Sequence, residues 1–253
     1  MQLSLWINKK KNFVSGFETF KYILNVLKPY SLFTSGLNLD TSGRIFSIFA
    51  EIKKYDHFYI CNPTIQKKIS KNLISEKKTR KINVEKFKIS KTSKPLSLPK
   101  YDFYPKKSIK FFLNKYTRNP FYKYYFLNFK LNKKIKFFFV CREIYVEKFN
   151  SKIMRIVDFY GNFPNKKSLK TILSNYLIKN KLEYLDFVVY GLNKKKIKNI
   201  GFEIKQNGQI IPNYFEPFLK KNIDLNLAII INPYKNRLVS VKADSDQERP
   251  NRL

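Results

Sequence analysis

The order of elements in the C-terminal half of the sequence predicts an α/β fold built on a mixed central sheet, preceded by a smaller N-terminal α/β region. Three observations carry that reading. Lys136 to Glu147 and Lys152 to Phe159 are β-rich runs joined by Lys148-Phe149-Asn150-Ser151, the pattern of an antiparallel hairpin. Lys166 to Asn180 places Leu169, Ile172, Leu173, Tyr176 and Leu177 on one helical face. Tyr184 to Tyr190 then returns to strand character; a strand, a crossover helix and a strand favour parallel pairing, whereas hairpins add antiparallel neighbours. Hydrophobic residues make up 43% of the chain, with 24 Phe and 17 Tyr, which is apolar surface enough to close a core.

From the N-terminus, Phe17, Phe20, Ile23, Leu24 and Leu27 recur at helical spacing and stop before Pro29, which predicts an amphipathic helix. Thr34 to Gly43 carries turn chemistry, and Arg44 to Lys53 reads as a second helix with Asp40, Thr41 or Ser42 as N-cap. Phe58 to Cys61 is a short buried strand ended by Asn62-Pro63, and Thr64 to Leu73 reads as a third helix. Between Ser75 and Lys107 the periodicity gives way to Lys-rich sequence with Lys94-Pro95 and Tyr104-Pro105. These limits divide the chain into a small α/β region (1–74), a Lys/Pro-rich linker (75–107) and the main α/β domain (108–253). Within that domain Gly161-Asn162-Phe163-Pro164-Asn165 breaks a strand before the long helix. A short helix over Asn193 to Asn199 and a strand over Phe202 to Lys205, turning at Asn207-Gly208, come next; Leu225 to Ile231 and Arg237 to Lys242 close the chain as a hairpin.

The formal net charge of +33 raises nucleic acid as a partner, because each neutralised phosphate releases a counterion. That partner is not the favoured one. The positive residues are overwhelmingly Lys, spread along the chain among abundant Asn, Ile, Phe and Tyr, the residue set that AT-rich codons encode, and Arg occurs eight times without clustering. Cys61 and Cys141 lie far apart within apolar runs and read as buried strand thiols, and with His57 as the one histidine no metal site is expected. No stretch approaches the roughly 20 apolar residues of a membrane span, and the lysines after Met1 to Ile7 reverse the order of a signal peptide, so a cytoplasmic protein is expected.

Three segments hold the candidate functional residues. Gly161, Asn162, Lys166, Lys167 and Ser168 leave a strand and enter a helix, where free N–H groups and the helix dipole favour an anion; an ordinary turn with a solvated lysine pair is the competing reading. Asp244, Asp246 and Arg249 concentrate charge near the C-terminus, and a continued strand would put both aspartates on one face; a polar tail screening its own lysines accounts for them equally well. Tyr214-Phe215-Glu216-Pro217-Phe218 sets one carboxylate among aromatics, a setting that raises a carboxyl pKa and suits a general base; a Pro-bracketed loop packed on the sheet is the alternative.

Taken together, Arg118-Asn119-Pro120-Phe121-Tyr122-Lys123-Tyr124, Met154 to Gly161, Tyr184-Leu185-Asp186-Phe187, Ile200-Gly201-Phe202, Ile211 to Phe218 and Asp244 to Asn251 resemble a bacterial group related to the GNAT acyl-CoA N-acyltransferases. Members of that group look like parts of surface-polysaccharide or sugar-modification pathways. The resemblance spans about Tyr116 to Asn251. It implies a sheet of GNAT type, with acetyl-CoA or another acyl-CoA as co-substrate and a small-molecule or sugar acceptor. Arg155 to Phe159 would be the central strand, Gly161 to Ser168 the pyrophosphate loop and Leu185 to Tyr190 a strand that splays to admit the thioester. Glu216 or Asp246 would accept the acceptor's proton, while Asp244, Arg249, Asn251 and Tyr214 would hold the acceptor. The basic-x-x-Gly-x-Gly/Ala signature of that loop is absent, Gly161 standing alone, and Glu248 occupies a place where the group more often has Asp. A basic, ribosome-associated nucleic-acid binder and a non-catalytic GNAT-like scaffold are the two alternatives.

Overall fold

A computed structural model describes residues 15–27, 32–74, 87–164, 168–231 and 237–244. The strands are β1 (Leu32–Ser35), β2 (Glu51–Lys54), β3 (Asp56–Cys61), β4 (Lys88–Thr92), β5 (Tyr124–Leu131), β6 (Lys134–Val146), β7 (Ser151–Gly161), β8 (Tyr184–Tyr190), β9 (Glu203–Ile204), β10 (Tyr214–Phe215), β11 (Phe218–Leu219), β12 (Asn226–Ile231) and β13 (Ser240–Val241). The helices are α1 (Ser15–Leu27), α2 (Ser42–Phe46), α3 (Ile109–Phe112), α4 (Ser168–Lys179) and α5 (Lys194–Asn199). Among the described residues no helix is long and apolar enough to cross a membrane.

One large sheet runs β4-β5-β6-β7-β8-β3-β9, with β13 added on β8. Among the described strands only β7 and β8 pair in parallel, so the sheet is mixed. Its two faces are covered differently. Phe139, Phe159, Phe187 and Phe202 meet on the face that also buries Leu169, Leu173 and Leu177 of α4, whose apolar spacing the sequence displays. Phe126, Phe138 and Tyr160 meet Phe112 of α3 on the other face, as the two-residue period of strands requires. A second sheet, β1-β12-β2, is joined to that second face through Tyr55, Val188, Leu225, Leu227, Ile229 and Leu238.

Several expectations hold. α1, the hairpin of β6 and β7, α4, β8 and α5 lie where the periodicity put them, and Asn193 caps α5 by accepting from Lys196 N at 3.1 Å. Cys61 and Cys141 are buried free thiols. Other expectations fail for tertiary reasons. Arg44 to Lys53 is not one helix, because Glu51–Lys54 is drawn out as β2 to pair with β12. Thr64 to Leu73 is not helical, because the amides of Lys68, Ile69 and Ser70 donate to the buried carboxylate of Glu183 at 2.8–3.1 Å instead of to helical carbonyls. The closing hairpin does not form: β12 is sandwiched between β1 and β2, and β13 pairs with β8. Nor does the stretch 75–107 separate the sheet from what precedes it. β3 lies inside the main sheet between β8 and β9, and β4 is its edge. Residues 75–86 and the turn at 232–236 lie outside the described residues.

Candidate functional site

β7 and β8 pair at three positions, Met154 with Leu185, Arg155 with Asp186 and Ile156 with Phe187, and then part. The parting has a local cause. On the other edge of β7, Val140 faces Asp158 while Cys141 faces Ile156, so Val157 is an extra, bulged residue immediately after the last parallel pair. A bulge bends and twists its strand, and here it turns β7 away from β8. Beyond it, no strand pairs with the β8-facing edge of residues 157–161 among the described residues. β8 continues to Tyr190, with β13 taking its freed edge at Val189 and Tyr190.

Two buried carboxylates mark the two sides of this point. Below it, Asp186 receives Arg155 Nε at 3.0 Å and Nη2 at 2.6 Å, and His57 Nε2 lies 2.9 Å away. Arg155 also donates to the carbonyls of Pro212 and Asn213, at 2.6 and 3.0 Å, and so clips the loop before β10 onto the sheet. Burial alone would raise the Asp186 pKa, but the Arg155 charge and the bonds from His57 and Arg155 outweigh it and hold Asp186 at about 2. Burial lowers the His57 pKa more than Asp186 raises it, so the ring is neutral and its Nε2–H donates. Its buried Nδ1 has no hydrogen-bond partner among the described residues.

Above the parting, Asp158 accepts from Lys107 Nζ at 2.6 Å, Tyr116 Oη at 2.7 Å and the Phe159 amide at 2.7 Å. Asp244 approaches the same Lys107 at 3.7 Å. Burial would lower the Lys107 pKa, but Asp158 and Asp244 raise it overall, so it remains an ammonium. Burial and Asp158 together push Tyr116 well above its ordinary value, so it stays a phenol and donates.

The residues singled out by sequence fall around this point unequally. Gly161 ends β7 with φ +109°, and a Cβ there would come within 2.5 Å of Phe137 Cα, which explains a glycine without any ligand. Asn162 donates through Nδ2 to Asp102 Oδ2 at 2.8 Å and accepts from Asp102 N at 3.2 Å. Asp244 ends a 3-10 turn after β13, its Oδ2 accepting from Val241 N at 2.9 Å, so the strand expected to carry Asp244 and Asp246 stops at Val241. Glu216 is not in an apolar pocket: its side chain is 49% exposed, paired with Arg142, and accepts from Tyr122 Oη at 2.9 Å. Tyr214 is half-buried with Lys242 Nζ 5.8 Å from its ring centroid. Ser168 begins α4. Lys166, Lys167, Asp246, Arg249 and Asn251 lie outside the described residues.

Asp158, Tyr116, Lys107, Arg155 and Asp186 were not among the candidates. A signal was present for three of them. Arg155 and Asp158 interrupt the apolar run Ile153 to Phe159, and Asp186 interrupts Leu185 to Val188; a charge inside a buried strand needs a partner. Tyr116 and Lys107 carried no such mark.

No family model matches the chain, and no curated protein matches it. Among solved structures, it is similar to the crystal structure of a GCN5-related N-acetyltransferase from Anabaena variabilis ATCC 29413, at 8% identity and a TM-score of 0.49. The match covers 86% of this chain and 50% of that one, so the chain spans half the length of the structure it matches.

Proposed function

We propose that the chain is an acyltransferase that moves an acyl group from an acyl-CoA thioester to an amine or hydroxyl, with the parting of β7 and β8 as its donor site. The observation that carries the proposal is the bulge at Val157 and the strand edge beyond it, which no other strand pairs with among the described residues. An extended ligand bearing amides can add to such an edge through main-chain hydrogen bonds. Gly161 lies at the end of that edge and α4 begins at Ser168; the segment between them, with Lys166 and Lys167, is the proposed seat of the pyrophosphate.

Asp158 and Tyr116 supply the proton path in this reading. The acceptor loses its proton to Asp158 as its nitrogen or oxygen attacks the thioester carbonyl. The carbon–sulfur bond breaks, the leaving thiolate takes a proton from Tyr116 Oη, and Asp158 returns the acceptor's proton to Tyr116 across their 2.7 Å hydrogen bond. Lys107 holds the Asp158 carboxyl in place through their 2.6 Å contact. Glu216 is half exposed and bound by Arg142 of β6 and Tyr122, whereas Asp158 is buried on β7 just beyond the bulge, which is why the base role moves to Asp158. Asp244, adjoining Lys107, would position the acceptor. A sugar as acceptor, in surface-glycan biosynthesis, follows from the family resemblance alone.

Thermal denaturation with millimolar acetyl-CoA tests the donor, since a ligand bound only by the folded state raises its midpoint. Thiol release should require an added amine or hydroxyl acceptor, and Asp158→Asn and Tyr116→Phe should stop release while acetyl-CoA still binds. No stabilisation by acetyl-CoA or CoA would end the donor assignment.

A further inference from the structure

The parting of β7 and β8 is crossed by a strap that the chain itself supplies. Tyr101 stacks on Tyr160 with centroids 4.2 Å apart and meets Phe159 at 5.7 Å. Adjacent strand residues point to opposite faces, so a ring that touches both sits at the strand's edge. β6 fills the other edge of β7, which leaves the edge facing β8. Asp102 meets Asn162, and Lys107 meets Asp158, so the strap runs antiparallel to β7 as it passes from 101 to 107. On its far side Tyr104 bridges Leu238, donating to Arg237 O at 2.9 Å and accepting from Val239 N at 2.8 Å. Between β7 and β8 there are therefore two inserted pieces, residues 101–107 and residues 237–241.

The two pieces differ in burial. Leu238, Val239, Ser240, Val241, Lys242 and Ala243 are all buried, and the four apolar ones belong to the core. In the strap only the ends, Tyr101 and Lys107, are buried; Phe103 and Tyr104 are partly so, and Asp102, Pro105 and Lys106 are exposed. Among the described residues no backbone-to-backbone hydrogen bond ties the strap to β7, so side chains hold it there. Its C-terminal end is fixed, because Lys107 is bound to Asp158 and Ser108 caps α3 by accepting from Phe111 N at 3.1 Å.

We infer that Tyr101–Lys106 is an autoinhibitory strap, a displaceable occupant of the donor groove that swings on Lys107 and must lift before an acyl-CoA can lie along β7. The inference rests on the donor reading above. The strap imitates that donor: it is extended along the same strand edge, and the Asp102 carboxylate holds Asn162 at the turn where a phosphate would sit. Lifting it breaks the two backbone hydrogen bonds of Tyr104 to Arg237 and Val239, uncovers the edge of residues 157–161 and releases Asn162.

Calorimetric titration of the full chain with acetyl-CoA and with S-acetylpantetheine, which has no phosphate, tests this. Asp102 is exposed, so Asp102→Ala folds as the parent does, and Tyr101→Ala provides a second variant that leaves the charge unchanged. Each removes a latch and raises the open fraction, so each should bind both ligands about tenfold more tightly. A gain for acetyl-CoA but not for acetylpantetheine is a charge effect and overturns the strap. Unchanged affinity in both variants overturns it too, while leaving the donor reading standing. Absence of binding by any form overturns the donor reading, and the strap falls with it.

Discussion

The two carboxylates on either side of the bulge sit on the same face, both fully buried, yet they are held in different ways. Asp186 is bound by Arg155 and His57, side chains of β7 and β3, so each partner comes from the sheet itself. Asp158 is bound by Lys107 and Tyr116, which arrive from the strap and from the turns after α3. The first arrangement rivets strands together where they pair. The second joins covering elements to a strand that has lost its neighbour on that side. Arginine suits the rivet, because its planar fork meets both oxygens of Asp186 and still reaches two carbonyls, whereas the single ammonium of Lys107 makes one short contact.

Breaking the rivet should therefore have the largest effect. Arg155→Met leaves Asp186 buried beside a neutral histidine and frees the carbonyls of Pro212 and Asn213. A loss of about 3–5 kcal/mol is expected in urea denaturation, the range for a buried ion pair stripped of one partner. Asp158→Asn should cost less, about 1–3 kcal/mol, since the amide still accepts from Tyr116 and Asp244 still adjoins Lys107. If the two variants cost the same, the distinction between rivet and cover is lost.

Acid separates the two members of the lower site. Asp186 is held at about 2, below the ordinary unfolded value of about 3.9. A depressed carboxylate contributes stability that is present above the unfolded value and is lost as pH falls through the folded one, here about 2–3 kcal/mol between roughly pH 4 and pH 2. His57 is also depressed, so its contribution is present above about pH 6.5 and declines as pH falls toward its lower folded value. Stability measured against pH should fall in two windows, and His57→Gln should remove the upper one only. A single window in the parent chain would mean that His57 does not stay neutral.

How much of this was legible follows from the range of the interactions. The hairpin of β6 and β7, the helix α4 and the strand β8 are built on local periodicity, and residue spacing displayed them. β3 could be seen as a strand but not as the neighbour of β8, because the pairing of Asp56–Cys61 with residues more than a hundred positions away leaves no mark in spacing. β2 and the non-helical stretch after Asn62 share that cause: β12 and Glu183, both distant, decide their conformation. The turn at Gly161 was legible as a break, and its glycine answers first to the close approach of Phe137. The acids and Arg155 within buried strands were the readable sign of the site. Their partners on the strap were not, since a Lys/Pro-rich stretch gives no sign that it will lie along a strand edge.

Glu216 provides the smallest effect and the sharpest contrast with the buried pair. Its carboxylate is bound by an arginine, as Asp186 is, but at 49% side-chain exposure water screens the attraction and the pair is worth about 0–1 kcal/mol. The Arg142 guanidinium keeps a second partner in any case, lying 3.5 Å over the Tyr122 ring, while burial first and Glu216 second push the Tyr122 hydroxyl up to about 12. Glu216→Gln should therefore leave the denaturation midpoint nearly unchanged and leave acetyl-CoA-dependent thiol release intact. If release is abolished while the fold and acetyl-CoA binding persist, the proton acceptor is Glu216 at the sheet surface, and Asp158 becomes a second rivet like Asp186.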